Sequence, residues 1–317
     1  MTLERGATID TLRLRSALLA RVRAFFAERG VLEVETASLS PAAPTDPALE
    51  SIAARVERLG GTRYLHTSPE FAMKRLLADG IGDIYQLCRV YRDGEIGRWH
   101  QPEFTMLEWY RLGYDDARLM DEVEALVRAA AGGRAAEWPA CRITYREAFE
   151  RALGVDPLVA ADAVGARLRE RGIDVPTGLD ADGVLDLAFA AVVMPTLPSE
   201  TWVFVHDYPA SQAALARIKP GAPPVAARFE LFAQGLELAN GWAELTDADE
   251  QRRRFDADQR VRRGRGLPVR PIDDAFLDAL ERGLPDCAGV ALGVDRLVAV
   301  AADLPSVAAA VAFAHVV

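Results

Sequence analysis

A polar loop joins two strand-like runs of the sequence. Arg92 is the last residue before this loop, and His100 lies within it. The runs are IYQLCRVYR and EFTMLEWYR, and the loop between them is DGEIGRWHQP. Arginine offers a planar fork of donors that suits a phosphate group, and histidine adds a further donor. Phe104, early in the second run, has a flat ring on which a base can stack. The pattern predicts a hairpin that binds a triphosphate, with an ordinary surface hairpin as the alternative.

Glu230, Glu237 and Glu244 follow one another at intervals of seven residues. Seven residues is close to two helical turns, but the glycines within the segment argue against a helix. We therefore expect a hairpin in which the strands RFELFA and LELAN are joined at Gln234-Gly235. Three solvent-facing glutamates on an exposed sheet are the alternative.

The predicted hairpin places Glu230 and Glu237 on neighbouring strands, where they can converge with no basic partner nearby in the sequence. Asn240-Gly241 is expected to kink the second strand and to re-aim Glu244. Carboxylates held together repel one another unless a cation or a proton compensates them. The cluster therefore predicts Mg²⁺ or an ammonium group as its ligand.

The segment GVALGVDR (residues 289–296) is an apolar strand with two glycines that ends in Asp295-Arg296. Glycines let a ligand approach the backbone closely. An arginine at the entry of a helix can reach a phosphate or stack on a ring. The alternative is that these glycines serve packing alone.

The surrounding sequence indicates the elements that position these residues. Residues 12–29 carry apolar side chains at helical spacing and are followed by Gly30, which predicts an amphipathic helix with a glycine cap. The run VLEVET predicts a strand. Ser68 as the N-cap and Pro69 as the first helical residue predict a helix that ends near Gly80.

Helices and strands alternate through the rest of the chain. We predict a helix over DDARLMDEVEALVRAAAG, an Ala-rich helical region over 132–200, a strand over TWVFVHDYP, helices over 247–263 and 273–282, and a strand that enters a helix over GVALGVDRLVAVAA. No internal repeat interrupts this order, so we expect one globular domain over 1–317 with 132–200 as an inserted helical region.

The composition argues against several classes of function. The chain has 317 residues and a net charge of −10, which suits nucleic-acid binding poorly. We interpret the basic run at 252–266 as the solvated face of a helix. Cys88, Cys141 and Cys287 form no zinc motif and indicate reduced thiols. Because no signal region or apolar run of roughly 20 residues is present, we expect a soluble cytoplasmic protein.

Taken in order, these segments resemble motifs 2 and 3 of class II aminoacyl-tRNA synthetases. HQPEFTMLEWY and ELANGWAEL are most similar to the lysyl branch. Within that branch, TSPEFAMKRLL, YPASQAALA and PDCAGVALGVDRL resemble the short paralogues that attach (R)-β-lysine to elongation factor P. The resemblance runs from RAFFAERGVLEVET to the C-terminus. It implies an α+β fold with a six-stranded antiparallel sheet flanked by helices, and usually a homodimer.

The resemblance also implies an activity and a set of site residues. It implies ATP-dependent activation of (R)-β-lysine or lysine with Mg²⁺, and transfer to a lysine of elongation factor P. The residues implied to bind ATP are Arg92, Asp93, Gly94, His100, Gln101, Phe104, Glu237, Leu238, Gly293 and Arg296. Of these, Arg92 and Arg296 are implied to be catalytic. Glu230 and Glu237 are implied to hold Mg²⁺, and the amino acid is implied to contact Ser68, Pro69, Glu70, Tyr110 and Glu244.

The chain departs from the family pattern at five positions, one of which is Ser68 in place of a typical alanine. Gly94 stands where motif 2 usually has the glutamate that contacts the adenine amino group, and we expect Glu95 or a loop carbonyl to replace that contact. Ala37 replaces the proline of motif 1, and Gln101 replaces an asparagine. Ala291 replaces a glycine of lysyl-tRNA synthetases and is expected to narrow the pocket beside the amino acid.

Two other functions are compatible with the resemblance. A lysyl-tRNA synthetase is opposed because the first core helix starts at about residue 12, which leaves no room for an N-terminal anticodon-binding domain. The acidic charge also makes tRNA an unsuitable partner. An inactive regulatory paralogue is favoured by Gly94 alone, and it is opposed by Arg92, Arg296 and the retained glutamates.

Overall fold

The computed structural model describes residues 2–316, and its main feature is one large β-sheet. The strands are β1 (Thr2–Arg5), β2 (Leu32–Glu33), β3 (Leu39–Ser40), β4 (Ala53–Val56), β5 (Gly61–Leu65), β6 (Ile84–Tyr91), β7 (Glu103–Leu112), β8 (Ala140–Thr144), β9 (Trp202–Pro209), β10 (Ile218–Lys219), β11 (Val225–Ala233), β12 (Leu236–Ala243), β13 (Cys287–Gly293) and β14 (Phe313–Val316). The α-helices are α1 (Ile9–Ala27), α2 (Glu70–Ala78), α3 (Asp116–Ala131), α4 (Gly133–Ala136), α5 (Tyr145–Leu153), α6 (Ala161–Glu170), α7 (Ala181–Ala188), α8 (Ala248–Gly264), α9 (Asp274–Gly283) and α10 (Val294–Ala301). Among the described residues, none of these helices combines the length and the apolar character that a bilayer crossing requires.

The centre of the large sheet is antiparallel, in the order β6, β7, β13, β12, β11 and β9. At its two ends, β2 and β8 extend it in parallel by pairing with β6 and β9, and β10 pairs with β11. β3, β4 and β5 form a small separate sheet, and β1 pairs with β14. The structure therefore confirms the α+β class and the antiparallel sheet flanked by helices, and it adds edge strands to the central six.

A hydrophobic core lies between one face of this sheet and helices α1, α3 and α10. Phe26 of α1, Val123 of α3 and Leu297 of α10 are fully buried together with Trp109 of β7. Burying a large apolar side chain contributes roughly 1.5–3 kcal/mol. Because side chains alternate along a strand, Glu108 next to Trp109 points to the opposite face of the sheet. The functional side chains described below lie on that opposite face.

The region at 132–200 packs against β9 and β11 of the main sheet around a second hydrophobic core. Tyr145 and Phe149 of α5 are buried there against Tyr208 of the main sheet. The prediction of helical structure throughout this region was wrong at β8, which pairs in parallel with β9. The predicted strand over VLEVET was too long, since only Leu32–Glu33 pairs with the sheet.

The predicted hairpin of β11 and β12 is confirmed. Its turn residues Gln234 and Gly235 both have positive φ angles, 51° and 70°. Two successive left-handed residues match the twist of an antiparallel pair, and glycine adopts this conformation without steric cost. The two strands therefore leave the turn in register and carry their glutamates toward one another.

The position of the irregularity in this hairpin differs from the prediction. The register of β11 and β12 shifts once, which leaves Leu238 of β12 without a partner. An extra residue reverses the alternation of side chains along the strand. Glu237 and Glu244 therefore face the same side although their positions differ by seven, an odd number. The predicted kink at Asn240-Gly241 was wrong, because β12 stays paired there with both β11 and β13.

Helix α2 begins one residue later than predicted. Its N-cap is Pro69 and its first residue is Glu70. Ser68 still contributes to the helix start, because its Oγ accepts a hydrogen bond of 3.0 Å from the backbone N–H of Glu70. The cap thus draws Ser68 and Glu70 to the same end of the helix.

The basic run at 252–266 forms most of α8 and is not wholly solvated. Arg262 is 0% exposed, and its guanidinium donates to the backbone oxygens of Asp46 and Leu49 and to the carboxylate of Glu50. The interpretation of this run as a solvated face was therefore wrong at Arg262. This side chain ties the loop that precedes β4 to α8.

Candidate active site

A cleft of about 1450 Å³ opens over β7, β11, β12 and β13. Helices α2, α7 and α8 and the loop at 37–49 also contribute to its walls. Of the residues singled out from the sequence, Asp93 and Gly94 do not line the cleft. Those that do are Ser68, Pro69, Glu70, Arg92, His100, Gln101, Phe104, Tyr110, Glu230, Glu237, Leu238, Glu244, Gly293 and Arg296.

At one end of the cleft, Arg296 joins the β6–β7 loop to strand β12. Its guanidinium donates to the backbone oxygen of Glu237 at 2.7 Å, to that of Trp99 at 3.2 Å, and to Nε2 of His100 at 2.8 Å. Burial and the charge of Arg296 lower the pKa of His100. His100 is therefore a neutral ring next to a fixed cation, an arrangement that suits a polyanionic ligand.

Arg92 lies beside Phe104, with its guanidinium carbon 5.1 Å from the centroid of the ring. Glu95, which also lines the cleft, is 3.6 Å from the same guanidinium. Gly94 has a φ of 77°, a left-handed conformation that favours glycine. Glu95 therefore lines the cleft, whereas Gly94 does not.

Gln101 uses both ends of its side-chain amide elsewhere. Nε2 donates to the backbone oxygen of His315 at 3.1 Å, and Oε1 accepts from the backbone N–H of His315 at 2.8 Å. These two bonds hold the side-chain amide against strand β14. Gln101 also lines the cleft, and its contact with ATP stays a prediction.

Glu230 and Glu237 lie close enough for their charges to interact, as the sequence predicted. Burial and the charge of Glu237 raise the pKa of Glu230 to about 7. The expectation that no basic partner is near was wrong, because Arg228, two residues earlier on the same face of β11, lies 2.5 Å from Glu230. The hydroxyl of Tyr208 donates to the other carboxylate oxygen of Glu230 at 2.7 Å.

These two carboxylates fit a divalent cation only in combination with other ligands. In the part of the chain that the structure describes, no group of three or more His, Cys, Asp or Glu side chains is arranged to hold a metal. Arg228 compensates Glu230, whereas the side chain of Glu237 is 42% exposed to the cleft. Mg²⁺ usually keeps few protein ligands and binds phosphate oxygens as well. The site is therefore suited to a metal that arrives with a nucleotide.

At the other end of the cleft, two buried glutamates, Glu108 and Glu244, and the partly buried Glu70 lie around one lysine. Nζ of Lys74 lies 2.6 Å from a carboxylate oxygen of Glu70 and 2.6 Å from one of Glu244. Lys74 was not recognised as a site residue from the sequence. Burial opposes its charge, but the neighbouring carboxylates prevail and raise the pKa of Lys74. The cluster thus contains a permanent internal cation.

Glu108 is the third of these glutamates, and it too was missed. It accepts hydrogen bonds from the hydroxyls of Ser68 and Tyr110, both at 2.6 Å. Burial and the charge of Glu70 raise the pKa of Glu108 to about 7. The sequence did contain a signal for Glu108. It lies an even number of positions from both Phe104 and Tyr110 on the same predicted strand, and alternate residues of a strand share a face.

Glu244 still has one carboxylate oxygen without a protein partner. Oε2 accepts from Trp242 at 2.7 Å and contacts Lys74, but Oε1 is buried with no hydrogen bond. Burial raises the pKa of Glu244 to about 8. Gly289 leaves the space beside it open, since a Cβ there would lie 2.3 Å from the ring of Tyr110 and 2.5 Å from Oε1 of Glu244.

The charges of this cluster do not balance. Glu70, Glu108 and Glu244 face a single ammonium group, that of Lys74. A buried excess of negative charge is relieved by protons or by a bound cation. The raised pKa values of Glu108 and Glu244 have this cause: burial and the neighbouring carboxylates favour the protonated forms. A ligand with one or two ammonium groups would replace these protons.

Comparison with known proteins agrees with this geometry. A family model described as tRNA synthetases class II (D, K and N) matches residues 1–317. The chain is 48% identical over 320 residues to the elongation factor P–(R)-β-lysine ligase of Salmonella paratyphi B, with 98% of this chain and 97% of that protein covered. Ligases of the same name from Salmonella heidelberg and Salmonella typhimurium match with the same identity and coverage.

Proposed function

Because the chain belongs to the class II tRNA synthetase family of the D, K and N type, we propose that it is an ATP-dependent ligase for a lysine-type amino acid. The amino acid is (R)-β-lysine or lysine, and the acceptor is a lysine side chain of elongation factor P. The observation that carries the substrate class is the cluster of three carboxylates around Lys74, of which Glu108 and Glu244 are buried and Glu70 is partly buried. This cluster has an excess of negative charge that a diammonium compound would balance.

The reaction has two steps. In the first, the carboxylate of the amino acid attacks the α-phosphorus of ATP, the bond to the β-phosphate bridging oxygen breaks, and pyrophosphate leaves. In the second, the acceptor amine attacks the carbonyl of the adenylate, AMP leaves, and the amine loses a proton. Both steps need orientation and charge compensation, and neither requires a side-chain nucleophile.

Different residues of the nucleotide pocket bind different parts of ATP. Arg92 binds the α-phosphate and the carboxylate of the amino acid, and His100 binds the outer phosphates. Phe104 and Arg296 hold the two faces of the adenine. Glu237, Leu238 and Gly293, which line the cleft, complete this pocket, and Asp93 and Gly94 shape the loop that carries Arg92 and Glu95.

Glu230 and Glu237 would hold Mg²⁺ together with phosphate oxygens, and the ion would supply positive charge to the departing pyrophosphate. The position of Glu237, exposed to the cleft and close to Glu230, supports this assignment. Arg228 fixes the orientation of Glu230 and reduces its charge in the absence of the nucleotide.

The amino-acid pocket binds the two ammonium groups of the substrate and rejects amino acids with a neutral side chain. Glu70, Ser68 and Pro69 lie at the start of α2, where they face the α-carbon region of the substrate. Tyr110 and Glu244 receive the side-chain ammonium, and Glu108 is placed between the two groups by its bonds to Ser68 and Tyr110. An unpaired buried carboxylate costs several kcal/mol, so leucine and other neutral amino acids are rejected.

The domain organisation, subunit arrangement and location are part of the same proposal. We assign 1–317 to one catalytic domain with 132–200 as an insertion. A homodimer is supported by exposed apolar side chains near the N-terminal elements, namely Leu3, Ile9, Leu32 and Phe313. We place the enzyme in the cytoplasm, where ATP and elongation factor P are found. Light scattering of the purified protein tests the dimer.

A pyrophosphate-exchange assay with a panel of amino acids tests the proposed substrate class. We expect ATP-dependent exchange with (R)-β-lysine and lysine, and none above background with leucine or glutamate. Exchange that is equal for lysine and leucine would contradict the assignment of the acidic cluster to an ammonium group. A complete absence of exchange with every amino acid would favour a regulatory paralogue.

A further inference from the structure

The side-chain amide of Gln101 forms a two-ended bond with strand β14. It donates to the oxygen and accepts from the N–H of the same residue, His315, and Gln101 is only 6% exposed. This is the pairing that a neighbouring strand would make, supplied here by a side chain. A glutamate at 101 could not donate, and an asparagine would be one methylene shorter.

The loop around Gln101 is tied to the same C-terminal segment at a second point. Nε of Arg98 donates to the backbone oxygen of Pro305 at 2.7 Å, and the N–H of Val307 donates to the oxygen of Arg98 at 3.1 Å. Residues 98–101 therefore lie against the segment 305–315. His100, which is proposed to bind the outer phosphates, lies between the two attachment points.

Strand β14 is itself fixed by the N-terminus of the chain. It pairs with β1 through four residues, beginning at Arg5 opposite Phe313. The N–H groups of Gly6 and Ala7 continue the contact by donating to the oxygens of Ala312 and Val311 at 3.1 and 2.8 Å. A Cβ at Gly6 would lie 1.9 Å from a backbone oxygen of Ala308, so the two segments approach closely there.

We propose that Gln101 is a positioning residue, through which strand β14 holds the 98–101 loop in the conformation that binds the phosphates of ATP. The amide does not contact the nucleotide, and it acts by fixing the backbone on which His100 is carried. This inference rests on the proposed function for its kinetic consequences. Its structural consequence, a loop held by the C-terminal strand, is independent of the substrate.

The test combines Gln101→Leu with a deletion of residues 313–317. Both changes remove the pair of hydrogen bonds between Gln101 and His315, and the deletion also removes the pairing of β14 with β1. We expect each to raise the KM for ATP about tenfold, with the KM for the amino acid unchanged. The KM for ATP of the combined variant should be no higher than that of the single variant with the higher KM. Gln101→Asn should recover part of the affinity, and Gln101→Glu should not.

The matched control is His315→Ala, which keeps the backbone groups that Gln101 contacts and should behave as the unchanged protein. If Gln101 binds ATP directly, the deletion will leave the KM for ATP unchanged or the two effects will multiply. Either result would overturn the proposal.

Hydrogen exchange of the protein without nucleotide separates this inference from the proposed function. We expect faster exchange in residues 92–102 for Gln101→Leu, with the central strands unaffected. Unchanged exchange in this loop would overturn the proposed positioning role of Gln101 even if the enzyme is active. If Gln101→Leu speeds exchange in the loop but the unchanged protein forms no adenylate, the proposed function is rejected and the positioning role of Gln101 is retained. Should the shortened chain not fold, the Gln101 substitutions and their exchange rates decide the question.

Discussion

Nζ of Lys74 lies 2.6 Å from Oε2 of Glu244, and the two side chains are each 1% exposed. The carboxylate that the resemblance assigned to the substrate therefore already has a cationic partner from the protein. Its remaining oxygen, Oε1, has no hydrogen bond and is the one available to a ligand. We therefore propose that the pocket recognises an ammonium group through the part of the acidic cluster that Lys74 does not neutralise.

Lys74→Met keeps most of the volume of the side chain and removes its charge. It leaves the buried Glu244 and the partly buried Glu70 without their shared cation, which we expect to lower the free energy of unfolding by about 3–5 kcal/mol. Adding Glu244→Gln removes one of the stranded charges and should recover part of that loss. Urea unfolding of both single variants and the double variant measures the coupling. Strictly additive effects would contradict a direct interaction.

The raised pKa values of Glu108 and Glu244, about 7 and about 8, predict a pH dependence of substrate binding. Both groups lose their protons as the pH rises from 6 to 8, and only the ionised carboxylates attract an ammonium group. The KM for the lysine substrate should therefore fall over this range, while the KM for ATP stays nearly constant. Glu244→Gln should raise the KM for lysine strongly and flatten this pH dependence.

The same shifts affect stability with a defined sign. A carboxyl whose pKa is higher in the folded protein than in the unfolded chain binds its proton more tightly when folded. These two groups therefore make the free energy of unfolding fall as the pH rises from the unfolded value of 4.5 toward 7 and 8. A KM for lysine that is constant between pH 6 and 8 would contradict the proposed role of the cluster.

Glu237→Gln tests the metal assignment. The amide keeps the shape of the side chain and removes the charge that would attract Mg²⁺. We expect exchange activity to fall by at least about tenfold, the loss of a metal-ligand charge being worth several kcal/mol, and to recover partly at high Mg²⁺. Glu250→Gln, also on the cleft wall but on α8, is the control and should keep its Mg²⁺ dependence. Normal activity of Glu237→Gln at low Mg²⁺ would disprove the assignment.

Glu95→Gln tests how adenine is recognised when Gly94 replaces the family glutamate. Glu95 lines the cleft 3.6 Å from Arg92, and Gly94 does not line it. If the carboxylate accepts a hydrogen bond from the adenine amino group, the variant should lose much of the preference for ATP over GTP. Exchange assays with the two nucleotides measure this ratio. An unchanged ratio would assign the contact to a loop carbonyl instead.

Local sequence patterns predicted the elements that carry the nucleotide residues. The strand pair around Arg92 and His100, the turn at Gln234-Gly235, and the strand that enters α10 all agree with the structure. These features depend on alternation and on glycine conformation, which are written in a few adjacent residues. Their agreement explains why most of the predicted site residues lie in one cleft.

The features that were missed depend on partners far apart in the chain. Lys74 meets Glu244 across 170 positions, and Arg262 meets Glu50 across 212. A buried lysine or arginine is uncommon. The sequence therefore predicts a solvent-facing Arg262 and does not single out Lys74 as a site residue. The unpaired Leu238 likewise has no local signal, because a bulge is fixed by how two strands align.

The most direct test of the proposed function is mass spectrometry of elongation factor P after incubation with the enzyme, ATP, Mg²⁺ and (R)-β-lysine. The account predicts the addition of one lysyl unit to a single lysine side chain of the factor, dependent on ATP and absent with Glu244→Gln at the same substrate concentration. Parallel reactions with transcribed lysine tRNA should remain uncharged. An unmodified factor together with efficient charging of the tRNA would contradict the central claim.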